Sequence, residues 1–290
     1  MPVLIAVPGS EDHARRLGTR LGVPVVIPEL RQFPDGELYV RIDAELGDDV
    51  VIVGNASGAN FLRVAFLAGT ARDLGATRVG LVAPYLAYMR QDSRFKPGEG
   101  VTAKYFARLL SGTVDWLVTV DPHLHRFDSL AGVYTIPTTI ARAAPAIATW
   151  IMASVEHPVL VGPDAESVQW VKAVAEHSGA PFMILEKTRR GDRDVSITSP
   201  DGAWNGHTPV VIDDIVSTGQ TMIEATRQLR AAGSAAPMCV GIHAVFADAL
   251  HGALIEAGAR GIVTCNTIPH ATNQICIADP LADAVRKRLA

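Results

Sequence analysis

The sequence predicts an α/β protein of two tandem domains, each an open, mostly parallel sheet flanked by helices. Three observations lead there. Short apolar runs alternate with helical patterns almost from end to end. The chain has 290 residues, a length that suits about two domains. It also repeats: a shift of 160 residues lays Val51-Ile52-Val53 on Val211-Ile212-Asp213, and Ser57-Gly58-Ala59-Asn60 on Ser217-Thr218-Gly219-Gln220. The helices that follow align too, with Ala71 on Ala231.

The elements follow in order. The amino terminus, MPVLIAVPGS, has no basic region and meets Glu11 and Asp12 at once, so it reads as a first strand rather than a signal peptide. Further strands are expected at Val50–Val53, Val79–Pro84, Trp116–Val120, Val159–Val161, Phe182–Leu185, Val210–Ile212, Cys239–His243 and Gly261–Thr264. Helices are expected at Phe61–Leu74, Val101–Leu110, Ser167–His177, Thr221–Ala232 and Leu250–Ala257. The boundary falls near Pro145 to Pro158, which gives domains 1–147 and 148–290.

Composition narrows the function classes. Hydrophobic residues make up 48%, enough for a sizeable core and too many for a disordered chain. Lys plus Arg number 26 against 30 Asp plus Glu, a net charge of -4 that disfavours a nucleic-acid surface. Cys239, Cys265 and Cys276 form no C-x-x-C pair and read as reduced core residues of a cytoplasmic protein. No apolar run approaches the roughly 20 residues that span a bilayer, so no membrane partner is expected.

Residues 210–221, VVIDDIVSTGQT, are the most informative stretch. A strand pattern meets two carboxylates, then a hydroxyl-bearing loop, then a helix. Free N–H groups and the dipole at that helix start suit a phosphate. Gly219 lets the backbone approach the anion, and Ser217, Thr218 and Thr221 add hydroxyl donors. Asp213 and Asp214 can accept hydrogen bonds from a pair of sugar hydroxyls. A plain helix cap would explain the loop, but adjacent carboxylates oppose an anion unless a diol or a magnesium ion sits between. The set describes a site for ribose 5-phosphate.

Four other constellations are weaker alone. Phe33, Asp35 and Glu37 surround a Pro34-Gly36 turn, which by itself is an ordinary hairpin tip; the functional reading is a ring and two acceptors for a purine nucleoside. Arg90, Gln91, Arg94 and Lys96 make a cationic loop at a strand's carboxyl end, suited to polyphosphate or to solvent. No G-x-x-x-x-G-K-[ST] occurs, so side chains rather than a P-loop must hold any triphosphate. His123, His125 and Asp121 follow one strand and Asp164 another; each could ligate a metal, or serve as a hydrogen-bonded turn residue and a helix cap. Lys187, Arg189, Arg190 and Arg193 crowd a segment leading into a glycine-containing stretch that reads as a mobile loop to His207.

Together these segments resemble the ribose-phosphate diphosphokinase (phosphoribosyl diphosphate synthetase) family, in the family's order and over nearly the whole chain. The combination is highly specific, although no one piece is. The resemblance implies two phosphoribosyltransferase-type domains and Mg2+-dependent transfer of the diphosphoryl group of ATP to the 1-hydroxyl of ribose 5-phosphate. It implies that Phe33, Asp35 and Glu37 bind adenine and ribose, reaching in from a neighbouring subunit, and that Arg90 and Gln91 hold the nucleotide. A homo-oligomer, dimer or larger, follows. His123 and Asp164 would bind magnesium, and Lys187 and Arg189 would stabilise the transition state. Asp213, Asp214, Ser217, Thr218, Gly219, Gln220 and Thr221 would grip the sugar phosphate.

Ser217 and the Ala165-Glu166-Ser167 run resemble the archaeal-type branch rather than the phosphate-activated one, and Gln220 is an unusual choice in a phosphate loop. Two rivals remain. A non-catalytic regulatory paralogue has no need of Lys187, Arg189, His123 and both aspartates together. A base-transferring phosphoribosyltransferase shares the last motif without the first four.

Overall fold

The structure is a computed structural model and describes residues 1–185, 206–247 and 249–290. They form two compact units, Met1–Arg142 with Ala278–Ala290, and Ala143–Ile277.

The first unit opens with β1 (Val3–Ala6), the strand expected at the amino terminus. It continues through α1 (Glu11–Leu21), β2 (Val25–Val26) and a hairpin of β3 (Glu29–Gln32) and β4 (Leu38–Arg41). Then come β5 (Asp49–Val53), α2 (Ala59–Asp73), β6 (Arg78–Ala83), α3 (Thr102–Ser111), β7 (Trp116–Val120) and β8 (Thr138–Ala141). Six strands make one sheet in the order β2-β1-β5-β6-β7-β8, parallel at every pairing. Strands β1, β6 and β7 are buried almost throughout, which is why they read as unbroken apolar runs instead of alternating ones. Ile5, Ile52, Leu67, Leu81, Phe106 and Leu117 meet in its core. Each such side chain contributes about 1.5–3 kcal/mol when fully buried.

The second unit runs α4 (Ala144–Ser154), β9 (Pro158–Gly162), a short 3-10 turn (Ala165–Ser167), α5 (Val168–Ser178), β10 (Phe182–Ile184) and β11 (Thr208–Val216). It ends with α6 (Gln220–Ala231), β12 (Met238–Ala244), α7 (Ala249–Glu256), β13 (Gly261–Cys265) and β14 (Asn273–Ile275). Its sheet order, β10-β9-β11-β12-β13-β14, repeats that of the first unit, again in parallel. The repeat read from the sequence is therefore structural, with β5-α2-β6 answering to β11-α6-β12.

Two features differ from the expected organisation. The stretch from Pro145 to Ser154, within the region where the boundary is expected, lies in helix α4. Pro145 sits in its first turn, where a missing N–H does no harm. The chain passes between units at residues 142 and 143, a little before the expected 147 and 148. Also, the last helix, α8 (Ala278–Leu289), joins the first unit. It buries Leu281, Ala282, Ala284 and Val285. Arg286 donates to the Arg20 carbonyl at 2.6 Å, Arg288 to the Thr138 carbonyl at 2.6 Å, and Arg78 to the Arg288 carbonyl at 2.6 Å. Those partners lie far apart in sequence, so no local pattern announces them.

The three cysteines are free. Burial pushes the Cys239 thiol up to about 12, which keeps it protonated and unreactive. Among the described residues no helix is long and apolar enough to cross a membrane.

Candidate active site

The second unit carries the strand-loop-helix element on which the sequence reading rests. Expected to stop at Ile212, β11 runs on to Val216, because Ile215 and Val216 stay in register with His243 and Ala244 of β12. Both aspartates thus sit within the strand. Asp213 is half-buried and Asp214 buried, 4% exposed. The Asp214 N–H donates to Asp213 Oδ1 at 2.9 Å, and the Ile215 N–H to Asp214 Oδ1 at 2.7 Å.

Ser217 and Thr218 then lead to Gly219, the N-cap of α6, with φ +69. That left-handed conformation favours glycine, and space requires it too: a Cβ would lie 2.1 Å from Leu250 Cδ1 on α7. The Ile223 N–H donates to the Gly219 carbonyl at 2.8 Å, and the Gln220 N–H faces Thr218 Oγ1 at 3.4 Å. The first turn of α6 contains no acidic residue. Gln220 is exposed and Thr221 half-buried. This helix start can hold an anion through its backbone donors and dipole.

Asp164 lies at the carboxyl end of β9, the strand beside β11, so it shares the sheet edge with Asp213 and Asp214. It is also a helix cap: its Oδ1 accepts from Glu166 N at 3.0 Å and Ser167 N at 3.2 Å. Both readings of this residue therefore have a physical basis, since both cap bonds fall on one oxygen. Burial pushes Asp213 up to about 8, and the negative charges of Asp214 and Asp164 add to the rise. The Asp214 N–H pulls the other way and is outweighed. Carboxylates that oppose one another's ionisation accommodate a divalent cation or a hydroxyl-bearing ligand. The hard oxygen donors fit Mg2+.

The first unit holds the remaining described candidates. Phe33, Asp35 and Glu37 form the tip of the β3-β4 hairpin. The Phe33 N–H donates to the Glu37 carbonyl at 2.8 Å, and Asp35 Oδ1 accepts from Glu37 N at 3.1 Å. The tip is exposed, Phe33 by 39%. Arg90 and Gln91 follow β6, and His123 follows β7, its parallel neighbour, so all three lie beyond one sheet edge. Arg90 is exposed, and the Gln91 carbonyl accepts from Ala103 N at 3.3 Å. The ring of His123 stacks on that of His125 at 3.7 Å. Lys187 and Arg189, with the stretch expected to be mobile, lie outside the described residues.

Asp92 and Tyr88 matter although the sequence did not single them out, and Asp121, read there as a possible metal ligand, has an ion-pair partner. Asp92, its side chain 1% exposed, pairs with Arg126 at 2.9 Å and pins the loop bearing Arg90 and Gln91. Asp121 stands at φ +28 and pairs with Arg142 at 2.9 Å, which sets the start of the histidine loop. Tyr88, at φ +64, accepts a hydrogen bond from Gly58 N at the start of α2, 3.1 Å away. None of these contacts has a sequence signal, since each joins separate loops.

The paired parallel sheets and the β11-α6 loop define a two-domain protein of phosphoribosyltransferase type. Two family models match in succession: the N-terminal domain of ribose phosphate pyrophosphokinase over residues 3–113 and the phosphoribosyl transferase domain over residues 133–280. The chain is 32% identical over 288 residues to a ribose-phosphate pyrophosphokinase of Methanopyrus kandleri, covering 98% of each. It is 33% identical over 283 residues to one of Sulfolobus acidocaldarius, covering 94% of this chain and 95% of the relative. The crystal structure of phosphoribosylpyrophosphate synthetase from Mycobacterium smegmatis superposes with a TM-score of 0.81 at 26% identity, over 99% of this chain and 98% of the other. The chain belongs to the ribose-phosphate pyrophosphokinase family of enzymes.

Proposed function

We propose that the chain transfers the β,γ-diphosphoryl group of ATP to the 1-hydroxyl of ribose 5-phosphate, giving 5-phosphoribosyl 1-diphosphate and AMP. The observation that carries the reading is the β11-α6 element: one half-buried and one buried carboxylate beside a glycine-capped helix start with no acidic residue in its first turn. Few ligands want acceptors for hydroxyls and donors for an anion side by side. A pentose phosphate does.

In this reading the sugar 1-oxygen attacks the β-phosphorus in line. The bond from that phosphorus to the α,β-bridging oxygen breaks, AMP leaves, and the hydroxyl proton is released. The protein's part is positioning and charge stabilisation. Asp213 and Asp214 orient the pentose through its hydroxyls, and Ser217 to Thr221 hold its phosphate. Phe33, Asp35, Glu37, Arg90 and Gln91 hold the nucleotide, with the hairpin serving a neighbouring copy in a homo-oligomer. Lys187 and Arg189 meet the charge that develops on the transferring group. His123 and Asp164 would hold magnesium, which when bound neutralises phosphate charge. A cytoplasmic location suits an enzyme that draws on ATP and a sugar phosphate.

Incubating purified protein with ATP, magnesium and ribose 5-phosphate tests this. AMP should appear in step with the sugar diphosphate. ATP binding without AMP release would favour the regulatory paralogue, and pyrophosphate exchange with a free base in the absence of ATP would favour the base-transferring enzyme.

A further inference from the structure

The outer face of the β3-β4 hairpin is built around Arg31. Register places Arg31 opposite Tyr39 and Glu29 opposite Arg41, so these four side chains share one face. Leu30 and Val40, on the other face, pack against the core of the first unit. The hairpin is therefore anchored from below, and what stands above it is a cation between rings. The Arg31 guanidinium lies 4.8 Å from the centroid of Phe33 and 4.1 Å from that of Tyr39. Glu29 steadies it from 3.7 Å. Tyr39 meets Phe33 edge-on, with centroids 6.2 Å apart and planes at 88°.

This arrangement does three things to Phe33. Arg31 occupies one face of the ring, with Tyr39 standing perpendicular to it, so a planar ligand is directed to the face away from Arg31. The two contacts also restrict the rotamer of an otherwise exposed side chain on a turn, which lowers the ordering cost of stacking. Finally, a cation over one face draws electron density from the ring and makes the opposite face a better partner for an electron-rich purine. The hairpin tip thus arrives at its ligand already shaped.

We propose that Arg31 is a positioning residue for nucleobase recognition, acting through Phe33 rather than on the substrate itself. The inference rests on the reading of Phe33 as the base-stacking ring. It adds a residue to the donor-nucleotide side of the reaction and assigns it the choice of ring face.

Steady-state kinetics on Arg31→Ala, Arg31→Lys and Phe33→Leu test it, with ATP and ribose 5-phosphate varied separately. Removing a cation from an exposed ring should raise the KM for ATP about 2–5-fold. The KM for ribose 5-phosphate and kcat at saturating ATP should stay within about twofold, and Arg31→Lys should recover part of the loss. If Arg31→Ala leaves the ATP KM unchanged while Phe33→Leu raises it, the inference fails and the base-stacking reading survives. If Phe33→Leu itself leaves the ATP KM unchanged, that reading fails and takes the inference with it. A loss in kcat and in both KM values together, or no recovery with lysine, also overturns the proposal, because it marks general damage to the hairpin.

Discussion

In the first unit β5 ends on Val53 and Gly54 follows it, both buried, while at the matching place in the second unit β11 carries Asp213 and Asp214. The two strands hold the same position in sheets of the same order. Yet Gly54, at φ +152, has no room even for a Cβ, which would lie 2.6 Å from Val7 Cβ and 2.8 Å from Ser10 Oγ. No carboxylate fits there. The helix starts differ as well. In the first unit the Gly58 N–H is taken by the Tyr88 hydroxyl, whereas α6 begins on the short polar loop of Ser217 and Thr218. One fold thus supports a closed strand end and one that carries two carboxylates beside a glycine-capped helix start. The choice lies in a few side chains at the carboxyl edge, not in the sheet.

Four changes probe that comparison, beginning with the largest expected effect. If the chemistry belongs to the half with the acidic strand end and its cations, Lys187→Ala should lower kcat about 10²–10³-fold, as loss of a transition-state contact does. The KM for ribose 5-phosphate should barely change. Intact turnover with a large rise in that KM would remove Lys187 from the role.

Next comes the loop. Gly219→Ala must adopt a left-handed backbone and displace Leu250, a cost of about 2–4 kcal/mol. Its unfolding midpoint should fall by many degrees and its affinity for ribose 5-phosphate should drop. Ala59→Gly, at the start of the matching helix in the first unit, should cost only about 0.5–1 kcal/mol and leave the kinetics alone. Equal losses at both positions would erase the distinction between the loops.

Asp213 offers a pH signature. Its ordinary value is 3.8, and in the fold burial and then the Asp214 and Asp164 carboxylates raise it to about 8. The protonated form is the one the unliganded fold favours. Its stabilising share is complete below the unfolded value and is lost as pH climbs through the folded one. In metal-free buffer Asp213→Asn should therefore gain thermal stability over the parent progressively between about pH 4 and pH 8. It should also bind ribose 5-phosphate about tenfold more weakly, the cost of one charge-assisted hydrogen bond. A stability gap that does not move with pH would contradict the crowded-carboxylate picture.

The smallest effect concerns α8, which packs on α1 in the first unit as α4 packs on α5 in the second. The Arg20 guanidinium hydrogen-bonds Asp279 and holds its carboxyl below the usual range. That contribution is present at neutral pH and is lost as pH falls through the depressed value. The pair is exposed, so Asp279→Asn should cost under about 1 kcal/mol at pH 7, and the cost should shrink as the carboxylate is protonated in acid. A larger loss in chemical denaturation would mean the pair does more than decorate the helix.

Much of this molecule was legible in advance. The apolar runs at Trp116–Val120 and Gly261–Thr264 announce buried parallel strands, because a strand covered on both faces has no polar side to show. The β11-α6 strand-loop-helix is legible because its signal is local, confined to the twelve residues 210–221. The end of β11 was misjudged by four residues, since two carboxylates read as a strand end while the ladder to β12 keeps them inside. Short edge strands such as β2 and β14 carried too little pattern to find. The clamp of Arg31 on Phe33 and Tyr39 was invisible, because it needs the hairpin register before the three side chains meet.

By itself, then, the chain specified most of the long strands and helices and singled out one loop as a candidate for a sugar phosphate: periodicity, turn chemistry and neighbouring functional groups act over a few residues. Tertiary structure decided the rest. It assigned α8 to the first unit, through partners 259 residues apart such as Arg20 and Asp279, closed the strand end at Gly54, and raised the proton affinity of Asp213. These outcomes depend on which distant atoms share a desolvated volume, and that is fixed only when the whole core packs.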